Sequence, residues 1–292
     1  MRTAWMLSAG AAILTLAATT ASAQQRIARG RAVSRDVAVK VWIPAGTVRL
    51  VGWDRDSLSV EGMVTGGERF FFGGDARGIK FGVEEPPRDR IAQPAELVVH
   101  LPKGARVSVK TVSADIEATD VSGWFTAVGG GIRISGQARE VQAEALDGAV
   151  ELNVTAPWVR ARTGSGPLTI GGAVEDLAAS TVSGNLSVSS RGIERGKFDS
   201  VTGRIVFSAA LARGGAVDFD NHSGAVEIQL PSNIAADVEL TTVAGSITNR
   251  FDARRPIAGR QGRGQDLAFA TDPNGARVAA RTFKGPILLE RR

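Results

Sequence analysis

The sequence has no cysteine, no tyrosine and only two histidines, His100 and His222. Without cysteine the chain can form no disulfide bond, no lipid anchor on an N-terminal cysteine and no cysteine-based zinc site. Two isolated histidines also lack the spacing that metal sites use. We therefore predict no metal and no cofactor, and we expect the fold to depend on its apolar core.

A strong charge of one sign is also missing. The chain carries 35 basic and 30 acidic residues, a formal net charge of +5, and the two signs are mixed along the sequence. It has no basic helix pattern, no zinc-finger spacing and no aromatic stacking motif, although proteins that bind nucleic acids usually show one of these. We therefore predict that the chain does not bind nucleic acid.

Long apolar runs are absent except at the N-terminus, where residues 1–23 read as a signal peptide. Arg2 precedes an apolar run, and Ala21-Ser22-Ala23 is the small-x-small pattern that signal peptidase cleaves. The run is too short and too polar for a membrane anchor. We predict an exported protein that is periplasmic, displayed on the cell surface or secreted, with no transmembrane segment in the mature chain. Residues 24–36 read as a flexible lead-in.

Glycine is abundant, with 35 residues, and it recurs at regular intervals. The interval is 18 residues from Gly130 to Gly184, 19 to the next glycine and 21 for each of the two after it. We call these residues the corner glycines: Gly130, Gly148, Gly166, Gly184, Gly203, Gly224, Gly245 and Gly285, with Ala114 at the first position. A fixed short period predicts stacked structural repeats, and glycine is expected to supply an unusual backbone angle at each corner.

Each period holds two short strands. Apolar residues alternate two and four places after the corner glycine, as in Leu186 and Val188, and again seven and five places before it, as in Leu177 and Ala179. Threonine, serine or asparagine usually stands three places before the glycine, which suits a hydrogen-bonded corner. No single period can bury its apolar side alone, but stacking closes a continuous core.

The predicted fold is therefore all-β, a single-domain β-solenoid with rungs of about 18–21 residues. Residues 105–292 form the regular solenoid, interrupted by an insertion rich in arginine and glycine at 250–266. Residues 37–104 form an N-terminal cap and irregular β region. The charged residues after Leu289 are expected to protect the edge of the last strand.

The run Leu101–Val107, followed by Thr111–Ile116, resembles the bacterial putative-adhesin domain family, a group of β-solenoids of unknown function. Gln229–Pro231 and Leu240–Ile247 resemble the closing segment of that family, and the likeness extends over most of 37–289. The resemblance implies an exported, non-catalytic protein. A weaker likeness to the polymer-forming bactofilins conflicts with the export signal, because bactofilins are cytoplasmic.

Two segments outside the regular pattern are candidate contact sites. The first is a hydrophobic contact loop made of Phe70, Phe71 and Phe72 between glycine pairs, for which a hairpin packed over the solenoid is the alternative. The second is an arginine cluster, which could bind an anionic polymer or be a solvated excursion of the chain. Its members are Arg250, Arg254, Arg255, Arg260 and Arg263. Envelope polysaccharide or a protein are the candidate partners, and self-association is a further candidate interaction.

Catalytic residues are hard to find. Asp218 and Asp220 share one strand face beside His222 and Ser223, which allows a paired-carboxylate or a nucleophile interpretation. His222, however, stands where other rungs have valine, which favours a corner substitution. We predict a non-catalytic β-solenoid that acts as an adhesin-like structural or binding surface in the bacterial envelope. The alternative is a β-helix enzyme that cleaves glycans.

Overall fold

The computed structural model describes residues 24–87, 89–259, 262–272 and 274–292, so the predicted signal peptide at 1–23 lies outside the described residues. The described residues form 25 β-strands and no helix. No described segment is a helix of sufficient length and apolarity to span a membrane. The strands are β1 (Gln24–Ala32), β2 (Ala38–Ile43), β3 (Gly46–Trp53), β4 (Ser57–Thr65), β5 (Phe70–Gly74), β6 (Gly78–Val83), β7 (Ala95–Pro102), β8 (Arg106–Thr111), β9 (Asp115–Thr119), β10 (Ser122–Ala127), β11 (Ile132–Gln137), β12 (Glu140–Ala145), β13 (Val150–Thr163), β14 (Leu168–Thr181), β15 (Leu186–Val188), β16 (Arg191–Ser200), β17 (Ile205–Phe207), β18 (Ala210–Asn221), β19 (Val226–Leu230), β20 (Ala236–Thr242), β21 (Ile247–Arg250), β22 (Ile257–Ala258), β23 (Gln265–Ala270), β24 (Ala276–Thr282) and β25 (Ile287–Arg291).

The regular rungs stack in parallel, which confirms the predicted β-solenoid. Strands that follow a corner glycine form a first ladder, in which Val150, Leu168, Leu186 and Ile205 are paired in register. Strands that precede a corner glycine form a second ladder, in which Val159, Leu177, Gly196 and Val217 are paired. The apolar residues of both ladders are buried in one core. Each inward position thus repeats every rung, as the alternating pattern predicts.

None of the corner glycines has a positive φ, so glycine stands there because a side chain would not fit and not because of its backbone angle. The prediction that glycine supplies an unusual backbone angle at each corner is therefore wrong. A Cβ on Gly184 would overlap the carbonyl oxygen of Gly166, and the same overlap with the adjacent rung recurs at each corner glycine. Only glycine allows the backbones of successive corners to stack this closely. Ala114 begins the series, and its carbonyl oxygen is the one that a Cβ on Gly130 would meet.

The residue three places before each corner glycine is polar and buried in seven rungs: Thr111, Thr163, Thr181, Ser200, Asn221, Thr242 and Thr282. We call this set the polar corner column. Most of its members have hydrogen-bond partners at the corner. Asn221 Nδ2 donates to the Gly203 carbonyl at 2.8 Å, and Asn221 Oδ1 accepts from the Gly224 N–H at 2.9 Å. The predicted hydrogen-bonded corner is confirmed.

The rungs do not stack in chain order at either end. Near the N-terminus, the rung of β2 and β3 lies between the β6/β7 rung and the β8/β9 rung. Near the C-terminus, β24 and β25 insert between the β18/β19 rung and the β20/β21 rung. The predicted edge protection at Glu290–Arg292 is therefore wrong, because β25 pairs on both sides and β21 lies farther out.

Both ends carry antiparallel strands. β1 pairs with β4, and β4 pairs with β7, so 24–32 forms a strand where the sequence predicts a flexible lead-in. That prediction fails because Ile27 is a buried apolar residue within an otherwise polar segment, and β4 offers a free edge. At the other end, β23 pairs antiparallel with β20, and β22 pairs with β23. The insertion predicted at 250–266 thus contributes strands to the end of the stack.

Candidate binding surface

Phe70, Phe71 and Phe72 lie on β5, which forms an antiparallel hairpin with β6. Phe70 and Phe72 are half-buried and pack on Phe81 of the core, with ring centroids 6.4 Å and 6.3 Å away. Phe71 points to the other side of the hairpin, where Lys80 Nζ lies 5.5 Å from its ring centre. The alternative of a hairpin packed over the solenoid describes this geometry better than a contact loop with three free rings.

The predicted arginine cluster is dispersed. Arg250 lies 4.0 Å from Glu290 on the neighbouring strand, and Arg254 pairs with Asp252 and covers the ring of Phe269. Arg255 is exposed, Arg263 lines a cavity described below, and Arg260 lies outside the described residues. Because two of the arginines already have carboxylate partners, the segment offers less free positive charge than its composition suggests.

The structure separates the catalytic candidates. His222 is exposed at a rung corner, where its ring stacks on Phe283 at a centroid distance of 5.1 Å. Ser223 Oγ donates a hydrogen bond to the Val201 carbonyl at 3.3 Å. Asp218 and Asp220 lie on the outer face of the second ladder. No group of three or more acidic, histidine or cysteine side chains suited to a metal ion occurs among the described residues.

Asp218 and Asp220 instead line an open groove of about 310 Å³ on the outer face of the second ladder. We call it the charged groove. It crosses four strands, β16, β18, β24 and β20. Its charged lining consists of Lys197, Asp199, Asp218, Asp220, Glu239, Arg277 and Arg281. Acidic and basic groups thus lie together on one face of the solenoid.

The groove forms because β24 inserts between β18 and β20. Register pairing places Ala279 beside Asp218 on one side and Glu239 on the other, so a small side chain lies between two acidic ones. The same insertion places Arg281 beside Asp220. Sequence reasoning identified Asp218 and Asp220 but missed the basic side, because the chain order gives no sign that β24 lies next to β18.

Two weak ion pairs lie in the groove, the first within β16 and the second between β24 and β20. Lys197 Nζ lies 3.8 Å from Asp199 Oδ2, and Arg277 lies 3.9 Å from Glu239. Burial raises the pKa of Asp199. The nearby Lys197 ammonium lowers this pKa, and the nearby Asp220 carboxylate raises it. Asp199 and Asp220 are paired residues on adjacent strands. The groove therefore holds two neighbouring carboxylates, one of which is easier to protonate than usual.

A cavity of about 650 Å³ extends the charged groove toward the C-terminal end of the stack. It shares Glu239, Thr241 and Arg281 with the groove, and Arg263 and Asp266 line its far side. One of the five predicted arginines thus borders the same surface as Asp218 and Asp220. Carboxylates that accept hydrogen bonds and guanidinium groups that donate them suit a ligand with many hydroxyl groups.

Comparison with known proteins gives a family match and several structural likenesses. The family model described as Toastrack DUF4097 matches residues 30–266. A structure described as a putative adhesin from Bacteroides fragilis NCTC 9343 has 8% identity and a TM-score of 0.46, and the alignment covers 91% of this chain and 97% of that one. A "putative lipid binding protein" from Parabacteroides distasonis ATCC 8503 has 12% identity and a TM-score of 0.48, with 90% and 96% covered. A putative adhesin from the same organism has 14% identity and a TM-score of 0.45, with 91% and 97% covered. No curated protein matches the sequence.

Proposed function

This chain belongs to the Toastrack DUF4097 family, and from that membership we propose an exported, non-catalytic β-solenoid that acts as an adhesin-like binding surface in the bacterial envelope. The ligand class that we propose is an envelope polysaccharide. The observation that carries the proposal is the charged groove, which is open to solvent and presents both hydrogen-bond donors and acceptors along several rungs. Such a surface suits an extended polymer better than a small enclosed molecule.

Export is supported by the signal-peptide pattern at 1–23. Cleavage after Ala23 would leave Gln24, the first residue of β1, at the new N-terminus. Mass spectrometry of the protein recovered from the periplasm and the culture medium tests this step. A mass that includes the first 23 residues would contradict export by this route.

The binding proposal is tested by co-sedimentation with isolated envelope polysaccharide across a salt series, using protein purified from cells that express the full chain. We expect binding that weakens as salt rises, because ionic contacts on an open surface are screened. Supernatants are assayed for released sugar fragments, and we expect none. Absence of binding at low salt would contradict the proposal.

Matched variants locate the binding surface. Arg281→Ala removes a guanidinium group from the charged groove, and we expect it to weaken binding about tenfold. Arg106→Ala removes an exposed arginine from the same ladder at the opposite end of the stack, on β8, and it should leave binding unchanged. Equal effects of the two variants would show that binding depends on overall charge and not on the groove.

Glycan cleavage is the second candidate function, and the pairing of Asp199 with Asp220 favours it. A carboxyl group with a raised pKa, as burial gives Asp199, beside a second carboxyl group is the arrangement that glycosidases use for acid catalysis. If the protein released sugar fragments and Asp199→Asn abolished the release, the non-catalytic proposal would be wrong. Release that persisted in both Asp199→Asn and Asp220→Asn would exclude the groove as its source.

A further inference from the structure

One corner of the solenoid carries a row of exposed apolar side chains. They stand two places before each corner position, next to the polar corner column, and follow one another along the stack. We call the row the apolar corner column: Val112, Val128, Leu146, Gly164, Val182, Val201, His222, Phe283 and Val243, in stacking order. Backbone hydrogen bonds join successive rungs along it, from the Gly129 N–H to the Val112 carbonyl through to the Ala244 N–H and the Phe283 carbonyl.

The apolar members are well exposed. Val112, Val128, Leu146, Val182, Val201, Phe283 and Val243 have between 40% and 57% of their surface accessible. Single exposed apolar residues are ordinary, but a continuous row of several hundred Å² usually marks a contact site. Nothing in the described chain covers this row.

The residues that directly follow the members of the row in the chain are mostly small and uncharged. One place after each member stand Ser113, Gly129, Asp147, Ser165, Ser183, Thr202, Ser223, Lys284 and Ala244. Only Asp147 and Lys284 carry a full charge. The row therefore forms a low ridge of apolar side chains beside a shallow step of small residues, with a spacing between rungs of about 4.8 Å.

We propose that the apolar corner column is the interface between two copies of this chain, docked antiparallel about a two-fold axis between the Val182 and Val201 rungs. A second copy has the same spacing between rungs, so every exposed apolar side chain of the row except Val112, at its end, faces a rung of the partner. A membrane surface is a poorer partner, because Asp147 offsets Lys284 in the flanking step, which leaves that step no excess of positive charge to attract anionic lipids.

This register is supported by charge complementarity. The axis places the rung of Leu146 and Asp147 opposite the partner's rung of Phe283 and Lys284. Asp147 therefore meets a lysine twice in the symmetric pair, and Leu146 packs on an aromatic ring. In the single chain, Lys284 Nζ lies over its neighbour Phe283, and Asp147 accepts a hydrogen bond from Ser165 Oγ at 2.9 Å.

Size complementarity supports the same register. The rung of Gly164, which leaves a gap between Leu146 and Val182, faces the rung of His222, which is the bulky polar member of the row. Val182 faces Val201, and Val128 faces Val243. The apolar side chains together expose on the order of 500 Å² per copy. With the flanking step, a pair would bury roughly 1,000–1,500 Å², which is near the lower limit for a specific interface.

The absence of cysteine from the chain allows a direct cross-linking test. Val128→Cys and Val243→Cys are made in separate chains, and each protein is oxidised alone and after mixing. We expect disulfide-linked dimers only in the mixture, because antiparallel docking places residue 128 of one copy beside residue 243 of the other. Cross-linking of Val128→Cys alone would indicate parallel docking and overturn the register. Absence of cross-linking in every sample would overturn the interface.

Charge reversal tests the register independently. We expect Asp147→Lys to weaken the dimer about tenfold in sedimentation equilibrium, because it places two lysines together at each of two symmetric contacts. Lys284→Asp should do the same. The double variant restores opposite charges and should recover most of the affinity. Failure of the double variant to recover would contradict the proposed pairing.

The interface shares Val243 with the cavity that extends the charged groove, but association and polysaccharide binding are measured separately, so the two proposals can fail separately. If the protein is monomeric but still binds polysaccharide, only the dimer proposal is contradicted. A protein that is monomeric but binds neutral lipid vesicles through Val182 would show that the ridge contacts a membrane, and it would overturn the proposal.

Discussion

Two neighbouring columns at the same rung corner reverse the usual arrangement of polar and apolar residues. The polar corner column points inward and is buried, whereas the apolar corner column, one residue further along the chain, points outward and is exposed. Soluble proteins usually show the opposite arrangement. Most of the inward polar side chains can be explained by the corner groups that they bond, as at Asn221, whereas the buried Thr111 hydroxyl has no hydrogen-bond partner among the described residues. Nothing within the chain explains the outward apolar ones.

The difference separates folding requirements from function. A buried polar side chain that satisfies backbone groups contributes to stability, because each unmatched group in the core is costly. An exposed apolar side chain contributes little to the stability of a monomer. Substitutions in the core and in the polar column should therefore change stability, and substitutions in the apolar column should change association.

The largest loss of stability is expected from Leu186→Asp, a core substitution with which substitutions in the two columns can be compared. Leu186 is buried between Leu168 and Ile205 on the first ladder. An unpaired carboxylate there would lower the free energy of unfolding by about 4 kcal/mol. Chemical denaturation monitored by far-UV circular dichroism measures the change. The conservative control Leu186→Ile should cost less than about 1.5 kcal/mol. A normal unfolding midpoint for Leu186→Asp would contradict the inward assignment.

A smaller loss is expected when the polar column is made apolar. Asn221→Leu leaves the buried Gly224 N–H without its acceptor and should lower the free energy of unfolding by about 1–3 kcal/mol. Asn221→Thr introduces the residue that is common at this position in other rungs, and it should lower the free energy of unfolding by less. If leucine were as stable as asparagine, the hydrogen bonds of the polar column would not explain its inward position.

These two columns also show how far the sequence predicts the molecule. The period of the corner glycines predicts the solenoid, the inward apolar positions and the hydrogen-bonded corner, because each depends on residues close together in the chain. The insertion of β24 beside β18 depends on contacts between residues some sixty places apart, such as Val217 and Val278. Several rungs have nearly the same pattern, so composition cannot say which two are neighbours.

The candidate sites, too, were predictable only where they depend on residues close together in the chain. Asp218 and Asp220 could be recognised from the sequence as a same-face pair, but Arg277 and Arg281 join them only through the displaced rung. The arginine segment was conspicuous by composition, and Asp252 stands beside Arg254 in the sequence itself, but the position of Glu290 near Arg250 depends on the fold. The apolar column was visible as a repeated valine, but its exposure could not be read from the repeat.

Val182→Glu should change association far more than stability. Val182 is 55% exposed, so a carboxylate there remains in water, and the free energy of unfolding should change by no more than about 0.5 kcal/mol. In the dimer it would face Val201 of the second copy and be desolvated. Sedimentation equilibrium should show a monomer. The matched control is Ile91→Glu, at an exposed apolar residue outside the column, which should leave association unchanged.

The smallest effect is expected at Asp199, which directly precedes Ser200 of the polar column but lacks a comparable set of hydrogen bonds. Burial raises the pKa of Asp199 above its ordinary value of 3.8. A raised carboxyl pKa in the folded state means that ionisation opposes folding. This penalty is absent below the ordinary pKa and is fully present once the pH exceeds the folded-state pKa.

Asp199→Asn removes the ionisation and should therefore raise Tm by roughly 1 °C at pH 7, a small shift because the Asp199 side chain is still 43% exposed to water. At pH 3 the difference from the parent protein should nearly vanish. Thermal unfolding of both proteins between pH 3 and pH 7 measures it. Asp218→Asn, at an exposed position on the next strand, serves as the control. A difference in Tm that is independent of pH would mean that the asparagine acts through packing. A difference in Tm that grows with pH would mean that the fold does not compensate the burial of Asp199, whereas it does compensate the burial of Asn221.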